Sequence, residues 1–391
     1  MLFVLGLLLL SIWFKWMWLS IALFMFGGVS SLLLLFPTLL HPKRRIGGVF
    51  PVLHASHRGG AAERPENSLA AFQHAVELST HLLELDVHLT KDGQVIVFHD
   101  YDCQRVCGKP GFVRDMTLAE VPLLSRRLCL PAAFHADNLR LPYTEDFERA
   151  EQEFLGHIAA KEDAPRPNSN GRPVAFNLRH RSDVTAIEKE AFSVPLLSTV
   201  FERFPNTPIN IDLKEDNEEL MDKVHALVVQ HKRRHLTIWG SGKPGRSRRM
   251  YNKDPELPLF FNAMTILKIV LAYPFGLLPF LSFQESYVEV PFMSPTLSAA
   301  FRRTAMQNPK HRFGKSLLAP VLLGLFHFTA ASRLVVRHMQ ARGKRVVYWV
   351  LNTEEEFALA FAAGCDGVMT DCPTQLSDYL TKARPGWEKQ H

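Results

Sequence analysis

Cysteine is scarce in this chain of 391 residues: Cys103, Cys107, Cys129, Cys365 and Cys372 make an odd number with no Cys-x-x-Cys pair. That argues against a disulfide framework. It also argues against a zinc site at Cys103 and Cys107, since no second half with ligand spacing follows. Reduced thiols in a cytosolic environment are the simpler reading. An excess of one charge is lacking too. The 45 Lys and Arg exceed the 39 Asp and Glu by little and sit in local clusters, so no nucleic-acid partner is expected. A phosphate-bearing ligand or an anionic membrane surface fits the modest excess. No internal repeat is found. Disorder throughout is excluded by 47% hydrophobic residues, enough for a sizeable core.

Charge is most absent at the N-terminus, where Lys15 is the only charged residue from Met1 to Leu40. The stretch from Trp16 to Leu40 is long enough, as a helix, to cross about 30 Å of hydrocarbon. A cleaved secretory leader would have a shorter apolar core behind an early positive charge and a small-residue cleavage site; that pattern is not clear here, so the stretch reads as an anchor. His41-Pro42-Lys43-Arg44-Arg45 comes next, and the positive-inside rule keeps that flank cytoplasmic. The expected organisation is an anchor over 1–45 and a cytosolic catalytic domain over 46–385 on an endoplasmic-reticulum or perinuclear membrane. Residues 1–14 are also apolar enough to enter the bilayer, so a hairpin anchor stays open.

From residue 46 onward, short apolar runs alternate with helical stretches, the pattern of a parallel-sheet α/β domain. Strands are expected at 52–56, 82–87, 209–213, 235–239, 257–261, 287–291, 345–350 and 366–369. Helices are expected from Ser68 to Glu77 behind an Asn67/Ser68 cap, from Asn217 to His231, and from Glu354 to Ala363 before Gly364. Eight strands with helices between them predict a TIM (β/α)8 barrel, with its chemistry at the C-terminal strand ends. One element breaks the pattern. After LLELDVHLTK, Asp92-Gly93 turns the chain, so 94–98 must run antiparallel to 86–91. A two-residue loop pairs Lys91 with Gln94 and sets Asp86 opposite His99. Residues 126–192 include a polar, proline-containing section that cannot bury enough apolar surface, and a poorly ordered insert is expected there. The apolar stretches 257–283 and 317–336 read as membrane-facing segments at the barrel mouth.

The strand ends gather chemistry. His57-Arg58-Gly59-Gly60 and Pro65-Glu66-Asn67-Ser68 follow the first strand, and Glu84 and Asp86 share one face of the second. His99-Asp100 returns to that end, and the rim continues with Asp212-Leu213-Lys214, Trp349-Val350-Leu351-Asn352 and Thr370-Asp371-Cys372-Pro373. In this order, HRGG with PENS, ELDVHLTKDGQVIVFHD, INIDLK, WVLN and GVMTDCP resemble the glycerophosphodiester phosphodiesterase family. The resemblance covers about His54 to Ser125 and Leu196 to Leu380. With the anchor, RFPNTPINIDLK and GLLPFLSF, the chain is similar to the membrane-bound, lysophospholipase D-like branch. A TIM barrel is the fold this implies. Two departures stand out: Asp212 stands where many members have glutamate, and residues 126–192 contain an extra segment that does not align to the family.

The residue chemistry agrees with that resemblance. Attack on a phosphodiester is helped by a divalent cation on the non-bridging oxygens. Glu84, Asp86 and Asp212 offer hard oxygen ligands suited to Mg²⁺ or Ca²⁺. His57 is expected as general base and His99 as the acid that protonates the leaving alcohol. Arg58 and Lys214 are expected on the phosphate, or else as ion-pair partners of the acids. The resemblance puts Glu66 near the metal or a substrate hydroxyl, while its position also suits an acid just before a helix. Trp349 either lines the pocket or fills the core. The basic stretch 243–249 either touches lipid head groups or is a solvated loop. Three functions follow: a lysophospholipid hydrolase, a glycerophosphocholine-type phosphodiesterase, and a catalytically impaired lipid-binding protein.

Overall fold

The computed structural model describes residues 2–41, 50–125, 192–243, 245–292 and 318–389. The basic flank from Pro42, Cys129 and almost all of the expected insert fall outside the described residues. Helix α1, Leu2–Leu35, is the apolar N-terminal stretch, and within it Trp13–Leu35 has a mean hydropathy of 2.0 with 6% of its most apolar stretch buried.

The remaining described residues build a barrel. Its strands are β1 (His54–Ser56), β2 (Leu82–Leu89), β4 (Ile209–Leu213), β5 (Thr237–Gly240), β6 (Tyr287–Pro291), β7 (Arg345–Trp349) and β8 (Gly367–Thr370), all parallel in the order β5-β4-β2-β1-β8-β7-β6. The two ends of that order meet across residues 259–260. Trp239 bridges Leu259 and Phe260 bridges Tyr287, both in parallel. The expected fifth strand thus takes its place in the ring, reduced to single bridges. Helices run back outside the sheet, and three match the capping signals read from the sequence. Ser68 Oγ accepts from Ala71 N at the start of Leu69–Glu77, Asn217 caps Glu218–Gln230, and Gly364 ends Glu354–Ala363 with a φ of 95°. Beneath the mouth, the lumen is closed by buried apolar side chains including Ala55, Leu82, Ile238, Phe260, Tyr287 and Met369.

β2 is longer than its neighbours need. Residues 83–87 pair with β4, whereas 87–89 pair antiparallel with β3 (Val95–Val97), so the hairpin rises above the barrel at its C-terminal end. The observed register is one residue off the expected one. Val87 lies opposite Val97 and Phe98 N donates to Asp86 O at 2.9 Å, so Asp86 faces Phe98 rather than His99. The cause is a three-residue loop in which Gly93 donates to Thr90 O with φ +75°, a conformation that a residue with a Cβ adopts poorly.

The apolar stretches also differ from expectation. Residues 257–283 comprise the closing strand, helix Ala263–Ala272 and a connection that ends just before β6, at the N-terminal end of the barrel rather than its mouth. Helices in this architecture start at the mouth and run back to the base, so a long connection after one lies at the base. There Phe280 stacks on Phe26 of α1 at 5.9 Å, and Ser30 Oγ donates to Gly276 O at 2.5 Å. Helix Leu318–Ala330 packs beside Ala263–Ala272. Cys103, Cys107, Cys365 and Cys372 are free thiols.

Candidate active site

Strand register assembles the acids. In the parallel pair β2 and β4, Glu84 lies beside Asn210 and Asp86 beside Asp212, so alternation sends all four side chains into the lumen. The pair β1 and β8 does the same for the chain ends of the domain. Ser56 is level with Thr370, so the next residues, His57 and Asp371, meet with Nδ1 and Oδ1 2.7 Å apart. The turn that carries His57 and Arg58 is tight. Arg58 has a φ of 51°, and a Cβ on Gly60 (φ +108°) would lie 2.6 Å from Pro373 Cγ, so the HRGG turn and the loop after β8 are pressed together.

Two imidazoles are held alike. A carboxylate only accepts hydrogen bonds, so Asp371 accepts one from His57 Nδ1–H, and Asp100 accepts one from His99 Nδ1–H at 2.6 Å. In each ring Nε2 is left to exchange a proton with a substrate, and His57 Nε2 lies 3.9 Å from Glu84 Oε2. Burial works against the His57 imidazolium, but Asp371 and Glu84 outweigh burial and the nearby Arg58, and the pKa is raised above its ordinary value. Burial likewise opposes ionisation of Asp100, yet hydrogen bonds from His99 and Arg105 hold its carboxyl well below the usual range. Asp371 and the Asp100 pairing carry more weight than the sequence allowed them. The adjacency of His99 and Asp100 was the legible signal, whereas nothing local linked His57 to Asp371.

The cations pair with the acids. Lys214 Nζ lies 2.7 Å from Asp86 Oδ1 and 2.6 Å from Asp212 Oδ2. Arg58 donates its backbone N–H to Glu84 Oε2 at 3.0 Å and Nη1 to Glu66 Oε1 at 3.0 Å, with Nε 3.3 Å from Asp86 Oδ2. Of the two expectations for Arg58 and Lys214, these contacts are the ion-pair one. Burial by itself pushes the Asp86 carboxyl up, but Lys214 and Arg58, with His99 adding to them, hold it well below the usual carboxylate range. Glu84 goes the other way, pushed up to about 7 by burial and by Asp86 beside it.

The donor set suits a hard divalent cation. Asp212 Oδ1 is buried without a hydrogen-bond partner, and burial together with the nearby Glu84 and Asp212 pushes Glu289, on β6, up to about 8. This lumen therefore has carboxylate to spare for a further positive charge. Among the described residues, however, no three acid, histidine or cysteine groups close into a ready coordination shell, since Lys214 stands between Asp86 and Asp212. The expected convergence of Glu84, Asp86 and Asp212 is met at the level of strand register and interrupted at the level of oxygen atoms.

Other expectations are revised. Asn67 is not the helix cap. Ser68 fills that role, while Asn67, at a φ of 58°, donates Nδ2 to Asp86 Oδ2 at 2.9 Å. Glu66, just before the helix that Ser68 caps, is buried between Arg58 and Arg105. Trp349 is 37% exposed on the rim and does not fill the core. In the basic stretch, Arg246 is buried and bonds Leu213 O, Arg249 pairs with Asp216 and Glu218, and Lys243 donates to Tyr101 Oη at 3.0 Å. Of its arginines only Arg246 is buried, while Arg248 and Arg249 are exposed. An open groove beside His99 runs between Tyr101, Lys214 and Lys243. Glu289 and Asn210, joined by bonds of 2.9 and 3.0 Å, were not singled out in the sequence.

Known proteins resemble this chain in sequence and in fold. The human protein named lysophospholipase D GDPD1 is 36% identical over 351 residues, covering 90% of this chain and 92% of its own. The mouse protein named lysophospholipase D GDPD3 is 32% identical over 346 residues, covering 88% and 86%. Among solved structures, a glycerophosphoryl diester phosphodiesterase domain from Mycobacterium tuberculosis superposes with a TM-score of 0.50 at 12% identity, covering 85% of this chain and 99% of that one, and so shares the fold. The family model described as the glycerophosphoryl diester phosphodiesterase family matches residues 57–375, from the first of the two imidazoles to the helix after β8, and the chain belongs to that family.

Proposed function

We propose that this protein is a metal-dependent phosphodiesterase of the lysophospholipase D type. It hydrolyses lysophospholipids to lysophosphatidic acid and the head-group alcohol or N-acylethanolamine. The observation that carries this reading is the pair of carboxylate-held imidazoles, His57 with Asp371 and His99 with Asp100, on one barrel rim around Glu84, Asp86 and Asp212. The names of the two mammalian relatives support the substrate class.

Water is the nucleophile. His57 Nε2 takes the proton that water releases as its oxygen bonds to phosphorus, and His99 Nε2 gives a proton to the alcohol oxygen as the bond from phosphorus to that oxygen breaks. Each ring ends in the protonation state in which the other began, and solvent exchange resets them. Glu84, Asp86 and Asp212 would hold Mg²⁺ or Ca²⁺, which when bound neutralises charge on the non-bridging oxygens. Arg58 and Lys214, now paired with these acids, are the cations within reach of a phosphate.

Helix α1 anchors the protein in a membrane over residues 13–35, with the domain that follows on the cytosolic side. Anchoring suits a substrate that resides in lipid. The family name itself favours a second reading, hydrolysis of glycerophosphocholine-type diesters through the same site.

A product assay separates the readings. Membranes carrying the full chain are incubated with lysophosphatidylcholine or glycerophosphocholine, with Mg²⁺, Ca²⁺ or excess EDTA. The expected outcome is lysophosphatidic acid and choline from the first, little from the second, and none after chelation. Turnover of glycerophosphocholine alone selects the second reading, activity that survives prolonged chelation removes the metal, and no turnover of either selects a lipid-binding protein.

A further inference from the structure

The proposed chemistry assigns no task to Arg105, on the one-turn helix Gln104–Cys107 behind the His99 loop. Its guanidinium donates four hydrogen bonds to two carboxylates. Nε donates to Asp100 Oδ2 at 2.7 Å and Nη2 to Asp100 Oδ1 at 3.0 Å. On its other edge, Nη1 donates to Glu66 Oε2 at 2.6 Å and Nη2 to Glu66 Oε1 at 2.7 Å. One planar group therefore grips two carboxylates, each through both oxygens.

These carboxylates have partners of opposite kinds. Asp100 Oδ1 holds His99 Nδ1 at 2.6 Å, while Glu66 Oε1 accepts from Arg58 Nη1 at 3.0 Å. A continuous line of charged hydrogen bonds thus runs from His99 through Asp100, Arg105 and Glu66 to Arg58. The carboxylate partner of His57 is held differently, by Asn352 Nδ2, which donates to Asp371 Oδ2 at 3.4 Å.

We propose that Arg105 is a positioning residue for the hydrolytic reaction: by clamping Asp100 and Glu66 together it fixes the His99 proton donor relative to the Arg58 cation. This rests on the role proposed above for His99. Two negative groups gripped by one guanidinium repel each other once it is removed, so Asp100 is released to turn away from the imidazole. A lysine cannot replace the clamp, since one ammonium is a point charge and lacks the planar fork that meets both oxygens of two carboxylates.

The test compares Arg105→Ala and Arg105→Lys with the native chain on two substrates of different leaving-group acidity. Lysophosphatidylcholine releases an alcohol that needs a proton, and a p-nitrophenyl phosphodiester of choline releases a phenolate that does not. Arg105→Ala should lower kcat on the lipid about 10–100-fold, the range seen when a residue that orients a site histidine is lost. Loss on the p-nitrophenyl ester should be several-fold smaller, Arg105→Lys should recover little, and guanidinium ion at non-denaturing concentration should restore part of the alanine variant's rate. Equal losses on both substrates with no rescue, or no loss at all, would overturn the proposal. A readout that needs no turnover separates its failure from failure of the functional reading. In the proton NMR spectrum the hydrogen-bonded Nδ1 resonance of His99 should shift or vanish in Arg105→Ala while that of His57 stays. If both stay, or both vanish together, Arg105 does not position His99.

Discussion

Two arcs of the barrel mouth differ sharply. Along β8, β1, β2 and β4 almost every inward side chain at the strand ends is ionisable: Asp371, His57, Glu84, Asp86 and Asp212. Along β5, residues 259–260, β6 and β7 the inward groups include Gly240, Phe260 and Tyr287, with Glu289 the one acid. Outside that second arc the packing is aromatic and aliphatic. Phe292 meets Tyr348 at 4.8 Å, and α1 docks by Phe26 on Phe280. The difference has a physical origin. Parallel neighbours stand only about 4.8 Å apart, so carboxylates in register on them must recruit cations or be protonated. Lys214 and Arg58 do the first for Asp86, whereas burial and the neighbouring Asp86 push the Glu84 carboxyl up to about 7. Charge gathered on adjacent strands creates reactivity, whereas the apolar arc contributes contacts in which one side chain can stand in for another of similar volume.

The sharpest way to break this contrast is to take one group from each arc. His99→Ala should lower lipid hydrolysis by about 10²–10⁴-fold, the usual worth of a positioned proton donor, with an unchanged circular dichroism spectrum. Trp349→Ala, on the apolar arc, should lose far less. Comparable losses would mean that the charged arc is not where the chemistry lies.

A smaller effect tests the charged arc through pH. His57 has a folded-state pKa raised above 6.5, with the pull of Asp371 and Glu84 overcoming burial and Arg58. A raised value contributes stability that is fully present below the unfolded pKa of about 6.5 and is lost as pH rises through the folded value. Asp371→Asn removes the main attraction. The gap in Tm between native protein and variant should therefore be widest near about pH 6 and narrow toward alkaline pH. A gap that is constant from acid to alkaline pH would exclude this pairing as its cause.

The smallest effects concern packing. Gly60→Ala puts a Cβ 2.6 Å from Pro373 Cγ at a φ of +108°, and should cost about 1–3 kcal/mol in urea unfolding. On the apolar side, Phe280→Ala removes the stacking with Phe26, worth about 0.5–1.5 kcal/mol for an aromatic pair. It should loosen α1 without changing turnover of a soluble diester.

Much of this was legible in the chain itself. Alternation along LLELDVHL put Glu84 and Asp86 on one face, and Ser68, Asn217 and Gly364 marked helix ends where the structure has them. The hairpin after Lys91 was legible in kind but not in register, because Asp92-Gly93 is compatible with loops of two or three residues and the choice depends on what the loop packs against. Here Leu118 N donates to Asp92 Oδ1 at 3.1 Å, a contact 26 residues away.

Local periodicity and turn chemistry act over a few residues, and they determined by themselves the strands, most helix caps, the apolar N-terminal helix and the list of ionisable groups at strand ends. Which of those groups touch was decided only when the ring closed. His57 and Asp371 lie 314 positions apart, and they meet because β1 and β8 are neighbours in that ring. Arg105 and Glu66, and Lys214 and Asp86, meet for the same reason: separate strand ends share one rim, and unlike charges there pair according to distance in space rather than along the chain.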